Sequence, residues 1–182
     1  ADGELSRLKN KPSYVGRYYD SIADIILNLI FCLAFWYISD HSIISTLIAF
    51  VGIQLQGTLY NYYYVILRNS VNGDTTSRVF EDMPPQAMPG ESQSTVNLFF
   101  KIFKVLYGVF DRSIYILDPR AIKSKPFPKW FMTLVSTMGL GSQLLIMSIM
   151  LIFNLEYYII PFFIYYTGFV LVLVAVRRWV LK

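Results

Sequence analysis

Ser21-Ile-Ala-Asp-Ile-Ile-Leu-Asn-Leu-Ile-Phe-Cys-Leu-Ala-Phe-Trp-Tyr-Ile-Ser39 is an apolar run with a single ionisable carboxylate, Asp24. About 20 apolar residues in a helix cross ~30 Å of hydrocarbon, so this run reads as a membrane span. Residues 44–67, 130–153 and 157–176 read the same way. Only Asp40-His41-Ser42 and one neighbouring residue separate the first pair of runs, and only Asn154-Leu155-Glu156 the second. Connections this short predict two antiparallel helical hairpins. The expected fold class is an all-α integral membrane protein with four transmembrane helices.

Composition supports this reading. The 182 residues are 55% hydrophobic and 15% charged, against roughly 25% charged in soluble domains. Mean hydropathy is +0.46. The net charge of +4 is modest, and no nucleic-acid partner is expected. Cys32 is the single cysteine and His41 the single histidine. That inventory excludes an intrachain disulfide, and it offers no zinc cluster and no Ser–His–Asp set. No signal peptide is visible. The chain starts without Met inside a polar segment, as expected of a piece of a longer protein.

Lys and Arg give the sidedness. Arg7, Lys9, Lys11 and Arg17 precede the first run, and Arg68 and Arg78 follow the second. Arg120, Lys123, Lys125 and Lys129 precede the third, and Arg177, Arg178 and Lys182 follow the fourth. Neither short loop holds a Lys or Arg. The positive-inside rule therefore places both termini and the long connection in the cytoplasm, with the bacterial inner membrane as the expected location. One membrane domain results: residues 1–67 with the first two spans, a cytoplasmic connection over 68–129, and the last two spans over 130–182. Within the connection, residues 96–117 place Lys101, Lys104, Gly108, Asp111 and Arg112 along one helical face. That pattern predicts an amphipathic helix lying in the interface; the rival is a fifth span or a re-entrant segment.

Gly16, Asp20, Asp24 and Asn28 stand four residues apart, along one stripe of a helix. Like charges at that spacing repel, so a cation between Asp20 and Asp24 is expected. Hard divalent ions take carboxylate oxygens, often together with substrate phosphates. A turn at residues 9–13 would fold Asp2, Gly3 and Arg7 back against this helix, where Arg7 can meet a phosphate or a carboxylate. The simpler alternative is two aspartates at a helix start, favoured by the macrodipole.

The string Asp2-Gly3-x2-Ser6-Arg7-x8-Gly16-x3-Asp20-x3-Asp24 resembles the signature of the CDP-alcohol phosphatidyltransferase family, D-x2-D-G-x2-A-R-x8-G-x3-D-x3-D. Ser6 stands where the family has alanine. The family's first aspartate would fall three residues before Asp2, ahead of Ala1, and the family's usual six spans exceed the four seen here. Both departures lie at one end, as in an N-terminally truncated chain, and without that aspartate metal binding is expected to be weak. The resemblance implies a metal-dependent transferase using Mg²⁺ or Mn²⁺. It moves a phosphatidyl group from CDP-diacylglycerol to a small alcohol acceptor and releases CMP. It implies metal binding by Asp2, Asp20 and Asp24, with Asp24 as general base, and nucleotide contacts from Gly3, Ser6, Arg7 and Gly16. A CDP-choline or CDP-ethanolamine donor acting on diacylglycerol is the alternative within the family. A non-catalytic scaffold or carrier is the alternative outside it.

Gln54, Thr58, Asn61 and Arg68 recur near one face of the second run. They fit an acceptor pocket, chiefly Gln54 and Asn61 with Arg68 holding an acceptor phosphate. Hydrogen bonding between helices is the simpler account of polar residues in spans. Gly139, Gly141, Ser142 and Ser148 suit close helix packing, including in a homodimer. Gly73–Arg78 lacks the Lys and the spacing of a phosphate loop and reads as a turn.

Overall fold

The computed structural model describes residues 13–70, 81–123 and 127–181. Their regular elements are all helical: α1 (Tyr14–Ser39), α2 (Ile43–Ser70), α3 (Gln93–Leu117), a 3-10 turn (Pro119–Lys123), α4 (Lys129–Ser136), α5 (Leu140–Ile152) and α6 (Glu156–Val180). The Gly73–Arg78 segment lies outside the described residues. Helices α1, α2 and α6 are each long and apolar enough to cross a membrane. The two hairpin turns hold left-handed residues, Asp40 at φ 49° and Asn154 at φ 54°. Both are of the short polar types that tolerate that conformation.

The run expected as a third span is helical in two pieces. Helices α4 and α5 meet at 52°. Hydropathy is continuous across the break, so its cause is local bonding. Ser142 Oγ donates to the Ser136 carbonyl at 2.9 Å, and Tyr166 Oη donates to Thr137 Oγ1 at 2.8 Å. The Ser142 bond serves a backbone carbonyl next to the break, as broken helices in membranes require, and the Tyr166 bond ties the break to α6. Gly139 is extended at the start of α5. A Cβ there would stand 3.2 Å from the Tyr60 ring, so the missing side chain lets α2 come close.

Helices α2 and α6 form the central contact. Gly52 faces Thr167, and a Cβ at Gly52 would collide with Thr167 Oγ1. Between lipid-exposed helices, close van der Waals packing and interhelical bonds replace the hydrophobic effect as the driving force. Gln143 Nε2 donates to Gln56 Oε1 at 3.1 Å, and Gln56 Nε2 donates to Thr167 Oγ1 at 3.0 Å. One buried relay therefore joins α5, α2 and α6. Pro161 inside α6 has no N–H for the Tyr157 carbonyl four residues earlier. His41 Nε2 donates to that carbonyl instead, at 2.7 Å, from the α1–α2 turn.

Helix α3 is not among the candidate spans; it packs on α1 and α2. The Tyr18 ring of α1 is fully buried against Phe100 and Phe103, with centroids 5.9 and 5.2 Å away. Val105 and Val109, on another side of α3, are 78% and 71% exposed. Glu91 fastens the helix's leading end. Its carboxylate accepts from Ser13 Oγ at 2.6 Å, Val15 N at 2.9 Å and Met88 N at 3.2 Å. Burial opposes ionisation of Glu91, but these bonds outweigh it and hold the carboxyl below its ordinary range. Asp118 fastens the trailing end. It is fully buried; its carboxylate meets the Arg177 guanidinium and accepts from Tyr63 Oη at 2.9 Å. Its carbonyl accepts from Tyr62 Oη at 2.8 Å.

Candidate active site

A cavity of about 740 Å³ opens between α1, α2 and α3. That volume lies within the range of small-molecule sites. On α1 its wall follows the sequence stripe: Asp20 is exposed, Asp24 half-buried and Asn28 buried. Depth therefore increases by one turn, about 6 Å, at each step from Asp20 to Asn28. Gly16, one turn further out, is exposed and lies outside the cavity lining.

From α2, Gln54, Thr58 and Asn61 reach the cavity. Arg68 does not line it; its guanidinium lies 5.4 Å from the Tyr64 ring centroid. Asp2, Gly3, Ser6 and Arg7 lie outside the described residues.

The connection adds groups that the sequence reading did not assign to the site. Glu81 accepts from Tyr18 Oη and pairs with Arg17 Nη2 at 2.5 Å, holding both against the mouth. Lys104, Tyr107, Asp111 and Arg112 approach from α3. Lys104 Nζ donates to the Asp82 carbonyl at 3.1 Å, and Tyr107 Oη donates to the Ser21 carbonyl at 2.9 Å. Burial raises the Tyr107 phenol, and the nearby charges of Asp24, Asp111 and Asp20 raise it further. The phenol thus stays protonated as a donor. Asp111, a carboxylate in an apolar segment, was the available signal that this helix faces a polar site.

Burial pushes Asp111 from 3.8 up to about 7, with Glu81's negative charge adding to the effect. The group is ionised in the unfolded chain above 3.8 but stays protonated in the folded chain to about 7. It therefore withdraws stability as pH rises through that window. Asp111→Asn should flatten the loss of thermal stability between pH ~4 and ~8 in metal-free detergent solution. Equal pH slopes in parent and variant would place the Asp111 carboxyl in water.

Among the described residues, no three His, Cys, Asp or Glu side chains gather as a metal set. Asp20 and Asp24 nonetheless supply hard oxygen donors on adjacent turns facing one cavity. Such donors fit a divalent cation that shares its coordination with substrate phosphates.

The family model described as CDP-alcohol phosphatidyltransferase matches residues 1–82. The matched segment contains the motif residues from Asp2 to Asp24, α1, α2 and Glu81, and it agrees with the resemblance drawn from the motif. It supports phosphatidyl transfer from a CDP-linked alcohol as the general chemistry. No curated protein and no solved structure matches the chain.

Proposed function

We propose that this cavity is the active site of a transferase at the cytoplasmic membrane surface. It moves the phosphatidyl group of CDP-diacylglycerol to an alcohol and releases CMP. The observation that carries this reading is that Asp20 and Asp24, at motif spacing, open into one polar cavity where α1 enters its apolar run. Ionised groups at such a depth are costly unless they serve a site.

Asp2, Asp20 and Asp24 hold Mg²⁺ or Mn²⁺ in this reading, and Gly3, Ser6, Arg7 and Gly16 meet the cytidine nucleotide. A divalent cation held there would supply positive charge to the diphosphate, making CMP a better leaving group. Asp24 accepts the proton of the acceptor hydroxyl. The hydroxyl oxygen bonds to the phosphatidyl phosphorus. The bond from that phosphorus to the bridging oxygen breaks, and CMP leaves with the electron pair. Asp20, nearer water, is positioned for the metal and diphosphate. Asp24, one turn deeper, is positioned for the acceptor.

Helix α3 is the interfacial element in this scheme. Its stripe of Leu98, Ile102, Val105, Val109 and Ile116 is exposed, while Lys104 and Asp111 face the cavity. An apolar stripe beside a charged one lets a helix rest at the headgroup boundary. There it flanks a lipid-borne donor.

The full-length protein in lipid nanodiscs should release CMP from CDP-diacylglycerol in the presence of Mg²⁺ or Mn²⁺, and lose that activity with chelator. Turnover insensitive to chelator would overturn the metal role. Absence of CMP release with every alcohol tested would overturn the transferase.

A further inference from the structure

Two sets of polar side chains inside the bundle differ in how they are bonded. One is internally satisfied: Gln143, Gln56 and Thr167 bond to one another, and Gln143 Nε2 also donates to the Ile53 carbonyl at 3.1 Å. The other set lacks partners. Asn28 Oδ1, Gln54 Nε2 and Thr58 Oγ1 are each buried without a hydrogen bond. Their residues are only 5%, 3% and 4% exposed. All three line the cavity. Gln54 and Thr58 share one face of α2, being four residues apart. Asn28 lies opposite them on α1, one turn below Asp24.

An unpaired buried donor or acceptor costs about 1–3 kcal/mol, so three of them on one cavity call for an outside partner. That partner must both donate and accept, because the set mixes amide oxygen, amide nitrogen and hydroxyl. Water does this, and so does an alcohol. A ligand displaces such waters without loss only when it reproduces their bonds.

Charge narrows the ligand further. The cationic side chains lining the cavity, among the described residues, are Arg17, Lys104 and Arg112. Lys104 and Arg112 are exposed, and Arg17 is committed to Glu81. Arg17 also stands roughly 16 Å up α1 from Asn28. The nearest ionisable group above Asn28 on its stripe is the Asp24 carboxylate. A phosphate or carboxylate on the acceptor would meet no cationic side chain of the described residues at this depth.

We infer that Asn28, Gln54 and Thr58 form a recognition subsite for an uncharged polyhydroxyl acceptor. The inference rests on the transferase reading and specifies its acceptor class. Bound at Asn28, a molecule a few carbons long carries one hydroxyl to the three side chains. It presents another about 6 Å away, at Asp24.

The test uses the purified full-length protein in nanodiscs, with tritiated myo-inositol and glycerol as neutral probes and glycerol 3-phosphate and serine as charged ones. Equilibrium binding and CMP release are both measured. The expected result is binding and turnover with a neutral polyol. Asn28→Leu, Gln54→Leu and Thr58→Val should each raise the acceptor KM about tenfold, the loss of one hydrogen bond. The donor KM should stay within about twofold, and Thr58→Ser should restore the acceptor KM. Because these changes remove unpaired buried polar groups, thermal unfolding should show variants at least as stable as the parent. Turnover with charged acceptors alone would overturn the subsite and leave the transferase standing. So would unchanged acceptor KM values, which mean that water alone fills the space. Polyol binding lost in the variants, without CMP release in any of them or in the parent, would support the subsite and overturn the transferase.

Discussion

Asp24→Asn is expected to lower CMP release from CDP-diacylglycerol by about a thousandfold, within the span attributable to a general base. The substitution keeps the side chain's shape and one oxygen, so α1 and the cavity wall should persist. It removes the only site on that turn able to take a proton. Asp24 is suited to the task by position: half-buried, between exposed Asp20 and buried Asn28, and facing the cavity. Nucleotide affinity should change little, because Asp20 remains in place. Stopped-flow or quenched turnover beside equilibrium CDP-lipid binding separates the two effects. Turnover within a few-fold of the parent would exclude Asp24 as the base and direct attention to Asp111 on α3.

The largest loss of stability should come from Arg177→Met. Arg177 is 4% exposed and Asp118 fully buried. Arg177 Nε donates to Asp118 Oδ2 at 2.5 Å, and Tyr63 Oη donates to the same oxygen at 2.9 Å. Arg178 Nε lies 3.8 Å from Asp118 Oδ1 and is half-exposed, a weak substitute. Removing one member of a buried pair strands the other, at about 3–5 kcal/mol. Asp118→Asn should cost a similar amount by stranding Arg177. The double variant Asp118→Asn with Arg177→Met should lose clearly less than the sum, since no unpaired charge remains. Thermal unfolding in detergent checks this, and strict additivity would mean that the pair is not coupled. Limited proteolysis should also show α3 released in the single variants, because Asp118 ends that helix and ties it to α2 and α6.

The spans were legible because hydropathy and short polar connections act locally. Asp20 and Asp24 were legible as candidates for the same reason, since a fixed spacing on one helix needs no tertiary information. The break between α4 and α5 was not. Thr137, Met138 and Gly139 interrupt an otherwise apolar run only briefly, and the break is secured by Ser142 and by Tyr166, the latter from another helix. Glu81, Tyr107 and Asp111 enter the cavity only through packing of the connection on α1, which no periodicity reveals. The polar residues of α2 show the same limit. Gln56 makes the interhelical bonds, whereas Gln54 and Thr58, on the face that the spacing marks as polar, leave polar atoms unpaired. Helical spacing placed Gln54 and Thr58 on one face, but the neighbours of each face are set by the fold.

The Gln143–Gln56–Thr167 relay bears on how the chain is made. Gln143 sits on a helix of 13 residues, and its amide partner, Gln56, lies 87 positions earlier in sequence. In hydrocarbon an amide without a partner is expensive. The last hairpin therefore reaches its lowest energy only beside an α2 already in the bilayer. Biogenesis acquires a direction, with the early hairpin serving as the template on which the late one is checked. A misinserted α5 would leave the Gln143 amide without its partner in lipid.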